Sequence, residues 1–123
     1  PTGAASALKM CYAAYTKGTS ALLLAIRALA EAEGVGPSLL EEWQRSQPDL
    51  SARSEATARG TAAKAWRFVG EMEEIAASFT ARGLPGGFHL AAADIYQLMA
   101  ELKNESAPDL EKVLEAILHQ RRD

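Results

Sequence analysis

Lys9 is the residue of this sequence best placed for acid–base chemistry. It lies near the start of a long apolar segment that the sequence predicts to be helical, beside Leu8 and one turn before Tyr12 and Ala13. A lysine that an apolar face partly strips of water releases its proton more readily, which suits it to proton transfer. Lysines near helix starts usually reach solvent, so these residues taken alone favour an ordinary surface lysine over a proton-transfer group.

A group of three carboxylates is the second candidate. Glu71, Glu73 and Glu74 lie in another segment predicted to be helical. Successive helical residues are about 100° apart, so the three side chains cannot share one direction. Glu73 falls between the apolar Trp66 and Met72, whereas its two neighbours fall outside that arc. We therefore expect Glu73 to be mostly buried and to touch Trp66, Met72 or a basic side chain. It would be held in a salt bridge, buried in its protonated form, or lining a cleft.

Other cofactor and metal motifs are missing from the sequence. Its glycine clusters follow predicted helices, not strands, and do not have the GxGxxG spacing of a dinucleotide-binding turn. His89 and His119 are isolated from each other, so no metal site is predicted. A single cysteine, Cys11, excludes both an intrachain disulfide and a thiolate zinc site.

Glycine and proline divide the chain into helical segments. The predicted helices cover residues 4–33, 38–46, a third stretch that starts at 49 or 51 and ends at 59, then 61–82, 88–103 and a last segment after residue 106. Thr61 and Ser106 are the expected N-caps of the fourth and the last helix. Alanine is abundant and valine and isoleucine are scarce, which favours helix over sheet. The predicted fold class is all-α.

Two neighbouring stripes run along the first predicted helix. The bulky stripe consists of Leu8, Tyr12, Tyr15, Thr19, Leu22, Ile26 and Leu29. The small stripe consists of Ala7, Cys11, Ala14, Gly18, Ala21, Ala25, Ala28 and Ala32. A helix of about 30 residues is about 45 Å long, more than so small a domain needs for its own core. We expect it to be the central helix of a bundle and to form a two-fold homodimer; a kink at Gly18 into two ordinary helices is the alternative.

Length and charge narrow the class of protein. The 123 residues fit one domain, predicted to span 1–123, and are too few for a cofactor domain as well. The formal net charge of −3 argues against nucleic acid as a partner, because such surfaces need concentrated basic residues. No apolar run is long enough to span a membrane. We therefore expect a soluble, cytoplasmic domain, and composition by itself says nothing more about function.

A family resemblance adds to this interpretation. GAASALKMCY at residues 3–12 resembles the opening of the C-terminal helical domain in the β-hydroxyacid and 6-phosphogluconate dehydrogenase superfamily. The similarity continues through YTKG (15–18), RFVGEMEEIA (67–76), GLP (83–85) and ADIY (93–96), and covers about residues 3–103. The chain looks most like an uncharacterised, phosphogluconate-dehydrogenase-like branch. In that superfamily a lysine about six residues after a glycine is the catalytic acid/base, which implies this role for Lys9.

The sequence departs from that superfamily at two places. Tyr12 and Ala13 stand where hydroxyacid dehydrogenases usually carry an asparagine that holds the substrate. Glu71 and Met72 stand where a Lys-Asp pair is common, whose lysine contacts the cofactor. Imine-reducing relatives also replace these residues, so imine reduction stays an alternative.

The resemblance implies the substrate-binding and dimerisation domain of an NAD(P)-dependent oxidoreductase that acts on a small hydroxyacid-like substrate. NAD or NADP would be bound mainly by an N-terminal Rossmann domain that this chain does not contain, so the chain alone is expected to be inactive. Lys9 is the predicted catalytic residue, and Tyr12, Ala13 and Glu73 are candidates for the substrate cleft. A non-catalytic helical interaction module and a pocket for a small apolar ligand are the alternatives from other classes.

Overall fold

A computed structural model of the chain describes residues 3–106 and 108–119. These residues form helices and no strand, so the all-α prediction is confirmed. The α-helices are α1 (Ala4–Ala32), α2 (Gly36–Ser46), α3 (Leu50–Thr61), α4 (Ala65–Ala81), α5 (Gly87–Leu98) and α6 (Leu110–His119). Short 3-10 helices at Ala62–Lys64 and Ala100–Leu102 follow α3 and α5. The predicted domain also includes residues 1–2, 107 and 120–123, which lie outside the described residues.

Helix α1 is one continuous helix of 29 residues. It begins after Gly3, whose φ of 95° is a backbone conformation that only glycine adopts at little cost, and the Gly3 carbonyl accepts a hydrogen bond from the Ala7 amide at 2.8 Å. The helix passes through Gly18 without interruption, so the alternative of two helices divided at Gly18 is wrong.

Helix α1 is the centre of the bundle, as predicted. It contacts each of the other α-helices in the described part of the chain. Its second half supplies Ala21, Leu24 and Ala28 to the core, where small side chains let the neighbouring helices approach closely. Helices α4 and α5 pack on each other, and both contact α1.

Two of the expected helix starts are wrong. Thr61 is the last residue of α3, and its hydroxyl donates to the Thr57 carbonyl at 2.7 Å instead of capping α4. Asp109, and not Ser106, caps α6, because its carboxylate accepts a hydrogen bond from the Lys112 amide at 3.0 Å. Helix α5 also ends at Leu98, before the predicted end at residue 103.

None of the helices in the described residues combines the length and the apolar character that crossing a membrane requires.

Candidate functional site

A cavity of about 600 Å³ lies between the first half of α1 and helix α4; we call it the α1–α4 cavity. Its lining residues are Ser6, Lys9, Met10, Tyr12, Ala13, Thr16, Lys17, Glu71, Glu74 and Ile75. The structure therefore brings together three of the residues predicted for the site, which are Lys9, Tyr12 and Ala13. It also adds Lys17 and two of the carboxylates.

The best-defined contact in the α1–α4 cavity is an ion pair between Lys17 and Glu71. The Lys17 Nζ lies 3.2 Å from both carboxylate oxygens of Glu71, so the carboxylate accepts two hydrogen bonds from one ammonium group. The same Nζ lies 4.8 Å from the centre of the Phe68 ring, within the range of a cation–π contact. The side chains of Lys17 and Glu71 are 33% and 37% exposed, so the pair is half-buried at the cavity wall.

Tyr96 of α5, which does not line the α1–α4 cavity, holds the backbone of α1 at Lys17. Its hydroxyl donates to the Lys17 carbonyl at 2.6 Å, and its ring packs edge-on against Phe68 with 5.3 Å between centroids. Burial raises the pKa of the Tyr96 phenol, because the charged phenolate would lose its water. Tyr96 therefore remains a neutral donor at neutral pH and holds α5 to α1 at the residue that pairs with Glu71.

Lys9 differs from Lys17 in its surroundings. It is exposed and forms no ion pair or hydrogen bond among the described residues. The expected desolvation by the apolar face is therefore not observed, and Lys9 reaches solvent as the alternative interpretation predicted. It does so at the edge of a cavity, where its three N–H donors can meet a ligand.

The expectation that Glu73 is buried was wrong. Glu73 is exposed and is not among the residues that line the α1–α4 cavity. The core side of α4 is centred on Met72 and Ile75, and Trp66 lies outside it. Trp66 is 44% exposed, with the Lys103 ammonium 4.6 Å from its ring centre, so it does not define the apolar arc that should have enclosed Glu73.

A second concavity, of about 610 Å³, lies between α1 and α5; we call it the α1–α5 groove. Its lining is almost entirely apolar and includes Tyr15, Leu22, Phe88 and Ile95. None of its lining residues is a lysine, arginine, aspartate or glutamate. This groove therefore offers apolar contact and little charge.

His89 connects α5 to α1 at the α1–α5 groove. It is buried, its Nε2 lies 3.0 Å from the Ala14 carbonyl oxygen, and its ring stacks on Phe79 with 5.2 Å between centroids. A Cβ at Gly18 would lie 2.9 Å from that Nε2, so glycine is required for the imidazole to reach α1. The histidine has a packing role here, and no cluster of possible metal ligands occurs in the described residues.

An exposed apolar stripe runs beside the α1–α5 groove. Its members are Leu8, Tyr15, Leu22 and Leu29, seven residues apart, and they are 72%, 68%, 60% and 62% exposed. Seven residues correspond to nearly two helical turns, so the four side chains form one line along α1. We call this line the α1 stripe. Large exposed apolar surfaces are typical of interaction sites, so this line of side chains is a candidate for one.

The fold and the site together define an all-α domain built on one long helix, with a lysine-lined cavity near the start of that helix. A family model described as "Domain of unknown function (DUF1932)" matches residues 30–99, more than half of the chain. The chain belongs to this family, which is the C-terminal helical domain of 6-phosphogluconate dehydrogenase-like, NAD(P)-binding oxidoreductases. The resemblance stated from the sequence is thereby confirmed.

The matched range begins near the end of α1, so Lys9 and the other α1 residues of the cavity precede it. No curated protein and no solved structure matches the chain.

The described residues do not fit a dinucleotide by themselves. They contain no strand, and therefore no strand–turn–helix unit to hold a pyrophosphate. Of the two lysines in the α1–α4 cavity, Lys17 is already paired with Glu71.

Proposed function

We propose that this chain is the substrate-binding and dimerisation domain of an NAD(P)-dependent oxidoreductase that acts on a small hydroxyacid-like substrate. The observation that carries the proposal is the common cavity of Lys9, Tyr12 and Ala13 in a member of a dehydrogenase-like domain family. A separate domain of the enzyme supplies the nicotinamide cofactor, because the described residues do not fit one.

Lys9 is the proposed acid/base. Its ammonium group makes no ion pair or hydrogen bond among the described residues, so it is free to approach the hydroxyl or carbonyl oxygen of a substrate in the α1–α4 cavity. In one direction the neutral amine accepts the hydroxyl proton, and in the other the ammonium group returns a proton to the developing alkoxide. The ammonium group can also donate its proton to the nitrogen of a neutral imine, which keeps imine reduction as the alternative substrate chemistry. Tyr12, at the same wall, is proposed to contact the substrate.

The α1 stripe is the proposed dimer surface. Its four members are at least 60% exposed in a single chain, and the α1–α5 groove extends the apolar surface beside it. A two-fold dimer would bury the same stripe on both copies, and a stable interface of this type buries about 1,200–2,000 Å² in total. The same exposed stripe also supports the alternative function, a helical interaction module in which Lys9 has no catalytic role.

Substitution of Lys9 in the complete enzyme tests the catalytic proposal. Lys9→Met keeps an unbranched side chain and removes the proton donor, so we expect kcat to fall about 10²–10⁴-fold with the affinity for the cofactor nearly unchanged. Lys64→Met is the matched control, because Lys64 is exposed and does not line the α1–α4 cavity. Equal and small effects of the two substitutions would remove Lys9 from the mechanism and favour the interaction module.

A further inference from the structure

We propose that Glu71 determines the charge of the substrate that the α1–α4 cavity accepts. By pairing with Lys17, it restricts the cavity to acids with a single negative charge and disfavours phosphorylated acids. The inference rests on the proposed function, which makes this cavity the substrate site, and it adds the substrate class and the residue that selects it.

The first step is the charge of the cavity lining. Two lysines, Lys9 and Lys17, and two glutamates, Glu71 and Glu74, line the α1–α4 cavity, so the formal charges of its lining cancel. Lys17 is held by both oxygens of Glu71 and cannot give its full charge to a ligand. Lys9 is therefore the lining cation left without a carboxylate partner among the described residues.

The second step concerns what such a cavity can bind. One available ammonium group can neutralise one carboxylate of a ligand. A phosphate group adds about −1.5 to −2 charges at neutral pH, and its oxygens need further cationic donors. In this cavity they would instead face the carboxylates of Glu71 and Glu74, because Lys17 is occupied. The lining thus favours a monoanionic acid over its phosphorylated counterpart.

The third step identifies Glu71, and not Glu74, as the selecting residue. Glu71 belongs to a connected set of contacts, because Lys17 also lies over the Phe68 ring and Tyr96 holds the Lys17 backbone. Glu74 is exposed, and its side chain has no ion pair among the described residues. Removing the Glu71 charge should release a positioned lysine into the cavity, whereas removing the Glu74 charge leaves Lys17 paired. Glu71 is therefore a specificity-determining residue, not a catalytic one.

The test compares two probes with the same carbon skeleton, glycerate and 3-phosphoglycerate, titrated into the 123-residue chain and followed by NMR shifts of α1 amides. For the unmodified chain, we expect 3-phosphoglycerate to bind no more tightly than glycerate. For Glu71→Gln, we expect the affinity for 3-phosphoglycerate relative to glycerate to rise at least about tenfold. This corresponds to about 1.4 kcal/mol. Because Glu71 is half-buried at the surface of the domain, the amide variant keeps the shape of the wall.

Three variants serve as controls. Glu74→Gln removes the same charge from the same cavity without freeing Lys17 and should change the ratio less. Glu115→Gln makes the same change in another cavity and should leave the ratio unchanged; that cavity is also lined by Arg27, which lies about 27 Å along α1 from Lys9. The double variant Glu71→Gln/Lys17→Met should return the ratio toward that of the unmodified chain, since the released ammonium group is then absent.

The outcomes separate this inference from the proposed function. Tighter binding of 3-phosphoglycerate than of glycerate by the unmodified chain would overturn the inference without the use of any variant. Equal ratios for Glu71→Gln and Glu115→Gln would also overturn it. In both cases, binding that is lost in Lys9→Met would leave the proposed substrate cavity standing. Failure of both probes to bind in a Lys9-dependent way would overturn the proposed cavity and the inference together.

Discussion

The two concavities beside α1 are nearly equal in volume, about 600 Å³ and about 610 Å³, but they differ in chemistry. The α1–α4 cavity contains two lysines and two glutamates. The α1–α5 groove contains none of these and is bordered by the exposed Tyr15 and Leu22 of the α1 stripe. Because residues 100° apart on one helix face different neighbours, α1 can present a polar surface to α4 and an apolar surface on its other side. In the proposed function, substrate chemistry and assembly therefore occupy separate sides of one helix.

The separation is not complete, because both sides depend on how α5 is held to α1. On the charged side, Tyr96 of α5 bonds to the Lys17 carbonyl. On the apolar side, His89 of α5 bonds to the Ala14 carbonyl, less than one turn earlier along α1. These two contacts join the same pair of helices, one behind each concavity. Substitutions that affect one side only are therefore the sharpest way to test the comparison.

The largest effect is expected from a charge in the α1 stripe. Leu22→Asp places a carboxylate at the centre of the proposed dimer surface, and two-fold symmetry introduces it twice. We expect the dimer dissociation constant to rise at least about 10³-fold, which is about 4 kcal/mol. Sedimentation equilibrium measures this directly, and glycerate binding to the α1–α4 cavity should remain.

Leu90→Asp is the control for that experiment. Leu90 is also an exposed leucine, 53% accessible, but it belongs to α5 and does not line the α1–α5 groove. It should leave the dimer intact. A chain that is already a stable monomer at tens of micromolar would contradict the assembly proposal, as would equal dissociation by both variants.

The main features of the fold could be predicted from the sequence because they depend on local signals. The predicted end of the first helix lies within one residue of the observed end. The agreement is close because Gly34, with a φ of 72°, and the nearby Pro37 are local signals that end a helix. The starts of the helices near Thr61 and Ser106 are harder to predict from the sequence. Each has a hydroxyl that suits an N-cap, but the choice between Thr61 and a continuing 3-10 turn, or between Ser106 and Asp109, depends on tertiary packing.

A smaller effect, on stability, is expected at Gly18. Alanine is about 1 kcal/mol better than glycine inside a helix, but here its Cβ would lie 2.9 Å from the buried His89 Nε2. Displacing the imidazole breaks its bond to Ala14 and strains the core, which together cost about 2–4 kcal/mol. We therefore expect Gly18→Ala to lower the free energy of unfolding by about 2 kcal/mol in urea denaturation.

Gly70→Ala is the matched control for Gly18→Ala. Gly70 lies within α4 with nothing within 4 Å of an added Cβ, so the same substitution should stabilise the protein by up to about 1 kcal/mol. In a His89→Ala background, Gly18→Ala should lose most of its cost. If Gly18→Ala stabilises the unmodified protein as much as Gly70→Ala does, then His89 of α5 does not pack closely against α1 at Gly18.

The candidate site was predictable only in part. Lys9, Tyr12 and Ala13 share the first turns of one helix, so their proximity follows from helical spacing alone. The pairing of Lys17 with Glu71 joins residues 54 positions apart and depends on how α4 lies on α1. The prediction for Glu73 is wrong because Trp66, which is apolar, does not belong to the core but lies at the surface, with the Lys103 ammonium over its ring. Helical angles place a side chain on its own helix but do not show which neighbour covers it.

The smallest effect is expected at Tyr96, and it depends on pH. Tyr96→Phe keeps the ring packed against Phe68 but removes the bond to the Lys17 carbonyl, so at pH 7 we expect a loss of about 1 kcal/mol in the free energy of unfolding. Burial raises the pKa of Tyr96 in the folded state, so its contribution is complete below about pH 10, the ordinary pKa of an unfolded tyrosine. Above that pH the unfolded chain ionises first, and the contribution is lost as the pH rises toward the folded-state pKa. Urea denaturation from pH 7 to 11 should therefore show that the difference in the free energy of unfolding between the unmodified protein and Tyr96→Phe narrows above pH 10.

The control is Ser78→Ala, which removes a hydroxyl hydrogen bond within α4 and should lower the free energy of unfolding by less than about 0.5 kcal/mol at pH 7. If the difference in the free energy of unfolding between the unmodified protein and Tyr96→Phe is constant with pH, the Tyr96 hydroxyl reaches water and does not hold α5 to α1.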